Sequence, residues 1–322
     1  MKSKELVLAD IKKAIQNSKH AVIASHKNPE IDCIASAVVV SLIFDSLKKN
    51  YTLYNPDVLP YNCGYLKNSE KFKRTLPKEY DLVIVVDCGE IERIGEAHKV
   101  IQASSATVIN IDHHLTNTNF GHVNYVEPQA AATSEVLYDV MKLFPESLTR
   151  DMAIAIYSSL MADTGSFRYS STSERTFVLA AEMLKVGINS WDVSEKIYEN
   201  QPLSRIKLIQ LALGTLAIDK SKKIGSILVS RAMMKKTKVT SAECDGLINY
   251  PRSIQGVEVA LQYRELEKDL YKVSFRSKGK VNVAEIAQSF GGGGHRNASG
   301  CELKGSLDSI KKKLLKAIKE KL

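Results

Sequence analysis

The chain has 322 residues, 44% of them hydrophobic and 25% charged, which supplies cores for about two domains and excludes a disordered, collagenous or coiled-coil protein. Lys plus Arg at 45 against Asp plus Glu at 36 leaves a formal charge of +9, a balance that suits a phosphate-bearing partner but does not by itself establish one. Five scattered cysteines with no Cys-x-x-Cys pair exclude a disulfide framework or zinc ribbon and fit a reducing, cytoplasmic setting.

At the N-terminus, Leu8, Ile11 and Ile15 fall on one side of an amphipathic helix that lacks the apolar block of a signal peptide. No apolar run reaches the ~18 residues that suggest a membrane span, so no membrane partner is expected. Strands are predicted over residues 21–25, 51–54, 81–87 and 107–112. The last two are nearly continuous apolar runs, the pattern of strands buried on both faces of a parallel sheet. Helical patterns over 35–47, 133–144 and 150–162 alternate with them. The alternation predicts an α/β fold with a doubly wound, mainly parallel sheet over residues 1–190. A mixed helical stretch over 191–219 reads as a connector. Residues 220–322 predict a smaller mixed α/β domain, with strands over 225–230, 257–263 and 270–275 and a helix over 283–290. A final amphipathic helix turns Ile310, Leu314, Leu315 and Ile318 inward and its lysines outward.

Three predicted strands end in a side chain able to bind metal: Ser25 gives way to His26, Val86 to Asp87, and Ile111 to Asp112-His113-His114. Ligands of open parallel sheets bind outside the carboxyl ends of the strands, so these ends can converge. Glu30, Asp32 and Asp163 add carboxylates. The segment His26-Lys27-Asn28-Pro29-Glu30-Ile31-Asp32 reads as a single loop stiffened by Pro29. Carboxylates this close repel one another unless cations lie between them. Oxygen and imidazole donors favour manganese or magnesium, with iron or cobalt also suited, over structural zinc. There are ligands enough for two ions, and a pair about 3.5–4 Å apart activates water and clamps an in-line phosphoryl displacement. Cys33 and Cys88 adjoin acidic residues, but neighbours in extended backbone point apart, so both are expected to pack rather than ligate. His98 and His122 are expected at the surface.

Further on, Gly291-Gly292-Gly293-Gly294-His295-Arg296 predicts an anion-binding nest. Gly292, Gly293 and Gly294 would offer consecutive backbone N–H groups, and His295 and Arg296 charge-assisted donors. Arg252 and Arg264 are further candidates for substrate binding, equally suited to surface ion pairs.

With these blocks in order, the chain resembles the DHH/DHHA1 phosphoesterases, and among them the bacterial nanoRNase/pAp phosphatase group. The resemblance spans essentially the whole chain. It rests on residues 26–32, Val86-Asp87-Cys88-Gly89, Asp112-His113-His114, Asp163-Thr164-Gly165-Ser166-Phe167-Arg168 and residues 291–300. It implies a DHH domain holding two ions, usually Mn2+, with Mg2+ or Co2+ as substitutes, and a DHHA1 domain that grips substrate. One ion would be held by His26, Glu30 and Asp87. The other would be held by Asp32, Asp87, His113 and Asp163, with Asp87 bridging and His114 beside the phosphate. The implied catalytic residues are thus Asp87, His113 and His114.

The substrates implied are short RNA oligonucleotides, cut to mononucleotides, and 3′-phosphoadenosine 5′-phosphate (pAp). The alternatives are a phosphodiesterase for cyclic di-AMP or linear pApA, and a catalytically impaired relative that only binds oligonucleotides. A homodimer is compatible with each. The first motif departs from the family's usual Asp-Gly-Asp: here it is Glu30-Ile31-Asp32, and Ala35 replaces a second glycine. A longer acid and a stiffer backbone lead one to expect an altered metal preference or a reduced rate.

Overall fold

In the computed structural model, which describes residues 3–322, the first half runs α1 (Lys4–Asn17), β1 (His20–Ala24), α2 (Ile31–Ser46), β2 (Asn50–Tyr54), β3 (Leu82–Val86), α3 (Ala97–Gln102), β4 (Thr107–Asp112) and β5 (Val123–Val126). Four helices follow: α4 (Thr133–Met141), α5 (Arg150–Asp163), α6 (Glu174–Lys185) and α7 (Ser190–Ser194). The strands form one all-parallel sheet in the order β2-β1-β3-β4-β5. Ala21, Ile23, Ile84, Val86, Ile109 and Ile111 build a core on one face with α1, α2, α4 and α5. Val22, Ala24, Val83, Val85 and Val108 pack on the other against Ile91, Ile94, Ala97 and Ile101. The sheet is therefore doubly wound, as the apolar runs predict. In this strand order the chain reverses direction between β1 and β3, and a crevice opens at their carboxyl ends.

Two features of this half depart from the sequence reading. β5 has only four residues, Asn124 among them, with three half-exposed side chains, too weak a pattern to register as a strand. α2 begins at Ile31 rather than at 35, so Asp32 and Cys33 lie in its first turn and not in a loop. Every residue from Ile31 to Phe44 is buried, which makes α2 a central helix, apolar all round. Ile31 and Ala35 are helical, so nothing at either position calls for glycine's conformational freedom.

The second half comprises α8 (Leu203–Leu213), β6 (Ala217–Ile218), β7 (Ile224–Val229), α9 (Arg231–Thr237), α10 (Asn249–Ser253), β8 (Val259–Glu267), β9 (Leu270–Ser277), α11 (Val283–Ser289), β10 (Gly293–His295), β11 (Ala298–Lys304) and α12 (Leu307–Lys319). Its six-stranded sheet has the order β10-β11-β9-β8-β7-β6, with β7 and β8 parallel and the other pairs antiparallel. Val273 and Phe275 of β9 alternate inward to meet Ile310, Leu314 and Ile318 of α12. The chain divides by contacts into two units, Met1–Asn200 and Gln201–Leu322. That division falls inside the stretch read as a connector, with α7 in the first unit and α8 in the second.

The glycine-rich run is not an open nest. The N–H groups of Gly291 and Gly292 bond the carbonyls of Gln288 and Ala287 at 3.0 and 2.8 Å, closing off α11. Gly293–His295 then pair with residues 298–300 as a hairpin. A Cβ on Gly292 would lie 2.1 Å from the Gly300 carbonyl oxygen, and one on Gly294 would lie 2.6 Å from that of Ala298. Close backbone approach therefore accounts for these two glycines.

Candidate metal centre

The crevice of the parallel sheet collects the side chains that the strand ends predicted. β1 runs out into Ser25 and His26, and this exit is tied down by Asn55, whose amide donates to Ser25 Oγ and the His26 carbonyl, both at 2.9 Å. β3 delivers Asp87 in left-handed backbone (φ 53°), a conformation uncommon for a non-glycine residue that turns its carboxylate into the crevice. β4 delivers Asp112, His113 and His114. α2 contributes Asp32 from its N-terminal turn, where the helix dipole favours a carboxylate. α5 contributes Asp163 as its last residue.

Asp87 occupies the middle. Its Oδ2 lies 3.6 Å from His26 Nε2, and its Oδ1 lies 3.6 Å from His113 Nε2. His113 Nε2 also approaches Asp163 Oδ2 at 3.2 Å and Asp32 Oδ2 at 3.8 Å. Glu30 Oε1 is 3.9 Å from His26 Nε2, at the outer edge, with its side chain 54% exposed. His114 Nδ1 pairs with Asp112 Oδ1 at 2.7 Å, so Asp112 orients the second histidine of the pair.

The rings are held in a form suited to coordination. His26 Nδ1 lies 2.9 Å from the Lys27 carbonyl and His113 Nδ1 lies 3.1 Å from that of Ala130. A carbonyl can only accept, so each Nδ1 carries a proton and donates it, leaving Nε2 directed at the carboxylates. His26 Nε2 is buried and has no hydrogen-bond partner.

Asp32, Asp87 and Asp112 are all buried. Burial, together with the charges of Asp87 and Asp163, pushes the Asp32 carboxyl well above its ordinary range. Burial opposes ionisation of Asp87 as well, but the neighbouring imidazoles of His26, His114 and His113 hold it far below the ordinary range. Burial alone would lower the pKa of both His26 and His113. Cys33 and Asp87 raise the first, and Asp163, Asp87 and Asp32 the second. Concentrated anionic charge, imidazoles turned to meet it and a buried ring nitrogen without a hydrogen-bond partner form a donor set that fits divalent cations.

A supporting layer escaped the sequence reading. Thr133 is the first helical residue of α4, directly after its cap Ala132. Its hydroxyl donates to Asp87 Oδ1 at 2.8 Å and its N–H to Asp32 Oδ2 at 3.0 Å. Ser36 and Ser159 hydroxyls donate to Asp32 Oδ1, and the Asn117 amide donates to Asp112 Oδ2. Thr133→Val keeps the branched shape and the N–H but removes the hydroxyl. It is expected to weaken divalent-metal binding about 10–100-fold, the usual cost of losing such a partner, with Thr133→Ser retaining most of the affinity. Calorimetric metal titration checks this; unchanged affinity with only a lowered melting temperature would reduce Thr133 to packing.

The remaining predicted site residues lie in the second unit. Arg264 is 5% exposed on β8, so it is not the surface ion-pair residue considered from sequence. Arg296 is exposed at the turn of the β10–β11 hairpin. The register aligns Ala298 with Arg276 and Arg276 with Ala260, leaving Arg264 four residues farther along β8, about 13 Å away at the usual strand rise. Arg252 sits on α10, half-buried. Of His295 only the backbone pairing is described; its side chain lies outside the described residues. In the first unit, His98 is half-buried with Nδ1 on the Gly95 carbonyl, and His122 is exposed and accepts from the Val108 N–H.

Comparison with known proteins gives matches to both units. Residues 20–162 match the family described as "DHH family, N-terminal domain", and residues 225–322 match the "DHHA1 domain". The bifunctional oligoribonuclease and PAP phosphatase NrnA of Thermus thermophilus is 31% identical, over 98% of this chain and 94% of that protein. The probable enzyme of the same name from Streptococcus mutans is 29% identical, over 87% and 88%. A crystal structure of an exopolyphosphatase-related protein from Bacteroides fragilis superposes with a TM-score of 0.88 at 26% identity, covering 99% of this chain and 98% of the other.

Proposed function

Because the chain belongs to the DHH family and carries a DHHA1 domain, we propose that it is a metal-dependent phosphoesterase that cuts short RNA oligonucleotides to mononucleotides and converts pAp to AMP. The substrates follow those in the names of the Thermus and Streptococcus relatives, which align with this chain over most of both lengths. The observation that carries the chemistry is the position of Asp87, whose two carboxylate oxygens each face a different buried histidine. A carboxylate so placed suits a ligand shared by two ions.

In this reading His26, Glu30 and Asp87 hold one ion, and Asp32, Asp87, His113 and Asp163 the other, Mn2+ being the natural partner of such donors. A divalent pair supplies a nucleophile at neutral pH and neutralises charge on the phosphoryl oxygens. The protein's own groups do the remaining work. Thr133, Ser36 and Ser159 fix the carboxylates. Asp112 fixes His114 at the edge of the crevice, the position proposed for contact with the phosphate. In the second unit, Arg296 and His295, with Gly293 and Gly294, are the proposed anchor for the terminal phosphate, and Arg252 and Arg264 remain candidates for the same task. No helix among the described residues is long and apolar enough to cross a membrane. All five cysteines are free thiols, in keeping with a reducing cytoplasm as the working place.

The test is a side-by-side digestion of short RNA, pAp, pApA and cyclic di-AMP with Mn2+, repeated after chelation. Mononucleotides from RNA and AMP from pAp are expected, with both activities lost on chelation and restored by Mn2+. Intact RNA and pAp would overturn the proposal. Opening of cyclic di-AMP under those same conditions would place the chain with the cyclic-dinucleotide phosphodiesterases instead.

A further inference from the structure

We infer that Cys33 is a metal ligand, so that one of the two pockets is a His26–Cys33–Asp87 site with a sulfur donor. The inference rests on the metal-dependent reading above, puts Cys33 in the place given there to Glu30, and with it changes which metals that pocket admits. One donor atom from each of these three residues lies within 4.8 Å of the other two. The sequence argument against Cys33 assumed extended backbone, where residues 32 and 33 would point apart. Both are instead in the first turn of α2, where successive side chains are rotated by about 100°, so two neighbours can border one crevice.

Cys33 lies in the same buried cluster as Ile34 and Ala37, and among the described residues its thiol makes no short hydrogen bond. Cys33 is 0% exposed, and its hydrogen-bond contact with the His26 carbonyl is long, at 4.0 Å. The independent observation is the ring beside it, since His26 Nε2 is buried, without a hydrogen-bond partner and directed into the same pocket. Glu30, the carboxylate expected there, stays at the solvent edge, 3.9 Å from that nitrogen.

Cys88 supplies the contrast. It adjoins Asp87 in sequence, yet its thiol donates to the Glu90 carbonyl at 3.0 Å and packs with Val83, Val85 and Ile91 on the opposite face of the sheet.

Binding exchanges the Cys33 thiol proton, released to solvent, for a sulfur–metal bond, with no change in oxidation state. A thiolate favours zinc, cobalt or ferrous iron over manganese. The second pocket, Asp32–His113–Asp163 with Asp87, offers only nitrogen and oxygen and stays suited to manganese or magnesium. The two pockets therefore differ in softness, and the fully loaded centre holds two different metals when both kinds are supplied.

The experiment titrates metal-stripped full-length protein with Co2+ and follows its absorption. A near-ultraviolet sulfur-to-cobalt charge-transfer band is expected in the wild type, retained in Cys88→Ala and lost in both Cys33→Ala and Cys33→Ser. Zn2+ affinity should fall at least about tenfold in the Cys33 variants, the low end of the cost of losing even an outer partner of a metal ligand. The band in unmodified protein can be read whether or not a variant folds. Cobalt binding without the band, or a band that survives in Cys33→Ala, would overturn the Cys33 assignment alone. Failure to bind Co2+ at all would overturn the metal-dependent reading together with it.

Discussion

Replacing Asp87 with asparagine is expected to lower kcat/KM on short RNA and on pAp at least about 1,000-fold, roughly 4 kcal/mol of lost transition-state stabilisation. Two acceptor oxygens face His26 and His113, and asparagine keeps only one of them. The other side becomes an amide that presents N–H groups, so an ion shared through both oxygens loses a bond and a negative charge. The substitution is otherwise conservative. Asparagine tolerates the left-handed backbone at φ 53° as well as aspartate does, and it can still accept the Thr133 hydroxyl.

Folding should therefore survive. The variant loses the attraction between the Asp87 charge and the surrounding histidines but relieves its repulsion of Asp32, so the metal-free variant is expected to melt only modestly below metal-free wild type. The rise in melting temperature on adding Mn2+ should shrink, because a ligand stabilises only in proportion to its affinity for the native state. Turnover, metal stoichiometry and both melting curves can be read from one preparation. Near-normal turnover with two ions still bound would refute the bridging role.

The second large effect falls on the other unit. Gly292→Ala places a methyl group 2.1 Å from the Gly300 carbonyl oxygen and 2.5 Å from Cys301 Cβ. Neither position can yield without parting β10 from β11, so the cost is expected to reach about 3 kcal/mol, the upper end of ordinary overpacking. For a unit of this size that lowers the melting temperature by about 10 °C. Metal binding by the first unit should be unchanged, and substrate affinity should fall with the hairpin. Gly293→Ala is the internal control, since a Cβ there meets nothing within 4 Å. It should leave stability unaltered, so any rise in its KM reports on substrate rather than folding. If both variants melt with the wild type, the close-approach account of Gly292 is wrong.

Which parts of this molecule were legible in advance follows from physical rules of unequal reach. Buried parallel strands are apolar to their last residue, so the abrupt change to His26, Asp87 and Asp112 marked the crevice without any knowledge of strand order. Helix boundaries were less secure. Pro29 and two acids made residues 26–32 resemble a loop, and the onset of α2 at Ile31 was masked because Asp32 and Cys33 are poor helix formers at other positions. That displacement hid the one fact that brings Cys33 into play.

The supporting residues were illegible for a different reason. Thr133, Ser159 and Asn55 carry common polar side chains whose importance lies in partners 46, 127 and 30 residues away, a separation no local pattern encodes. The hairpin after α11 is not legible in sequence because four glycines advertise conformational freedom and close packing equally. Only the position of Gly300 and Cys301 opposite them decides between the two.

Two of the candidate histidines, His26 and His113, are oriented by main-chain carbonyls, those of Lys27 and Ala130. Every amino acid carries that group, so exchanges at residues 27 and 130 do not remove the acceptor that sets the ring tautomers. The start of α2 has no such insurance. There, exchanges at positions 30 and 33 alter the donors offered to the crevice, and those at 31 and 35 alter how the helix seats beneath it.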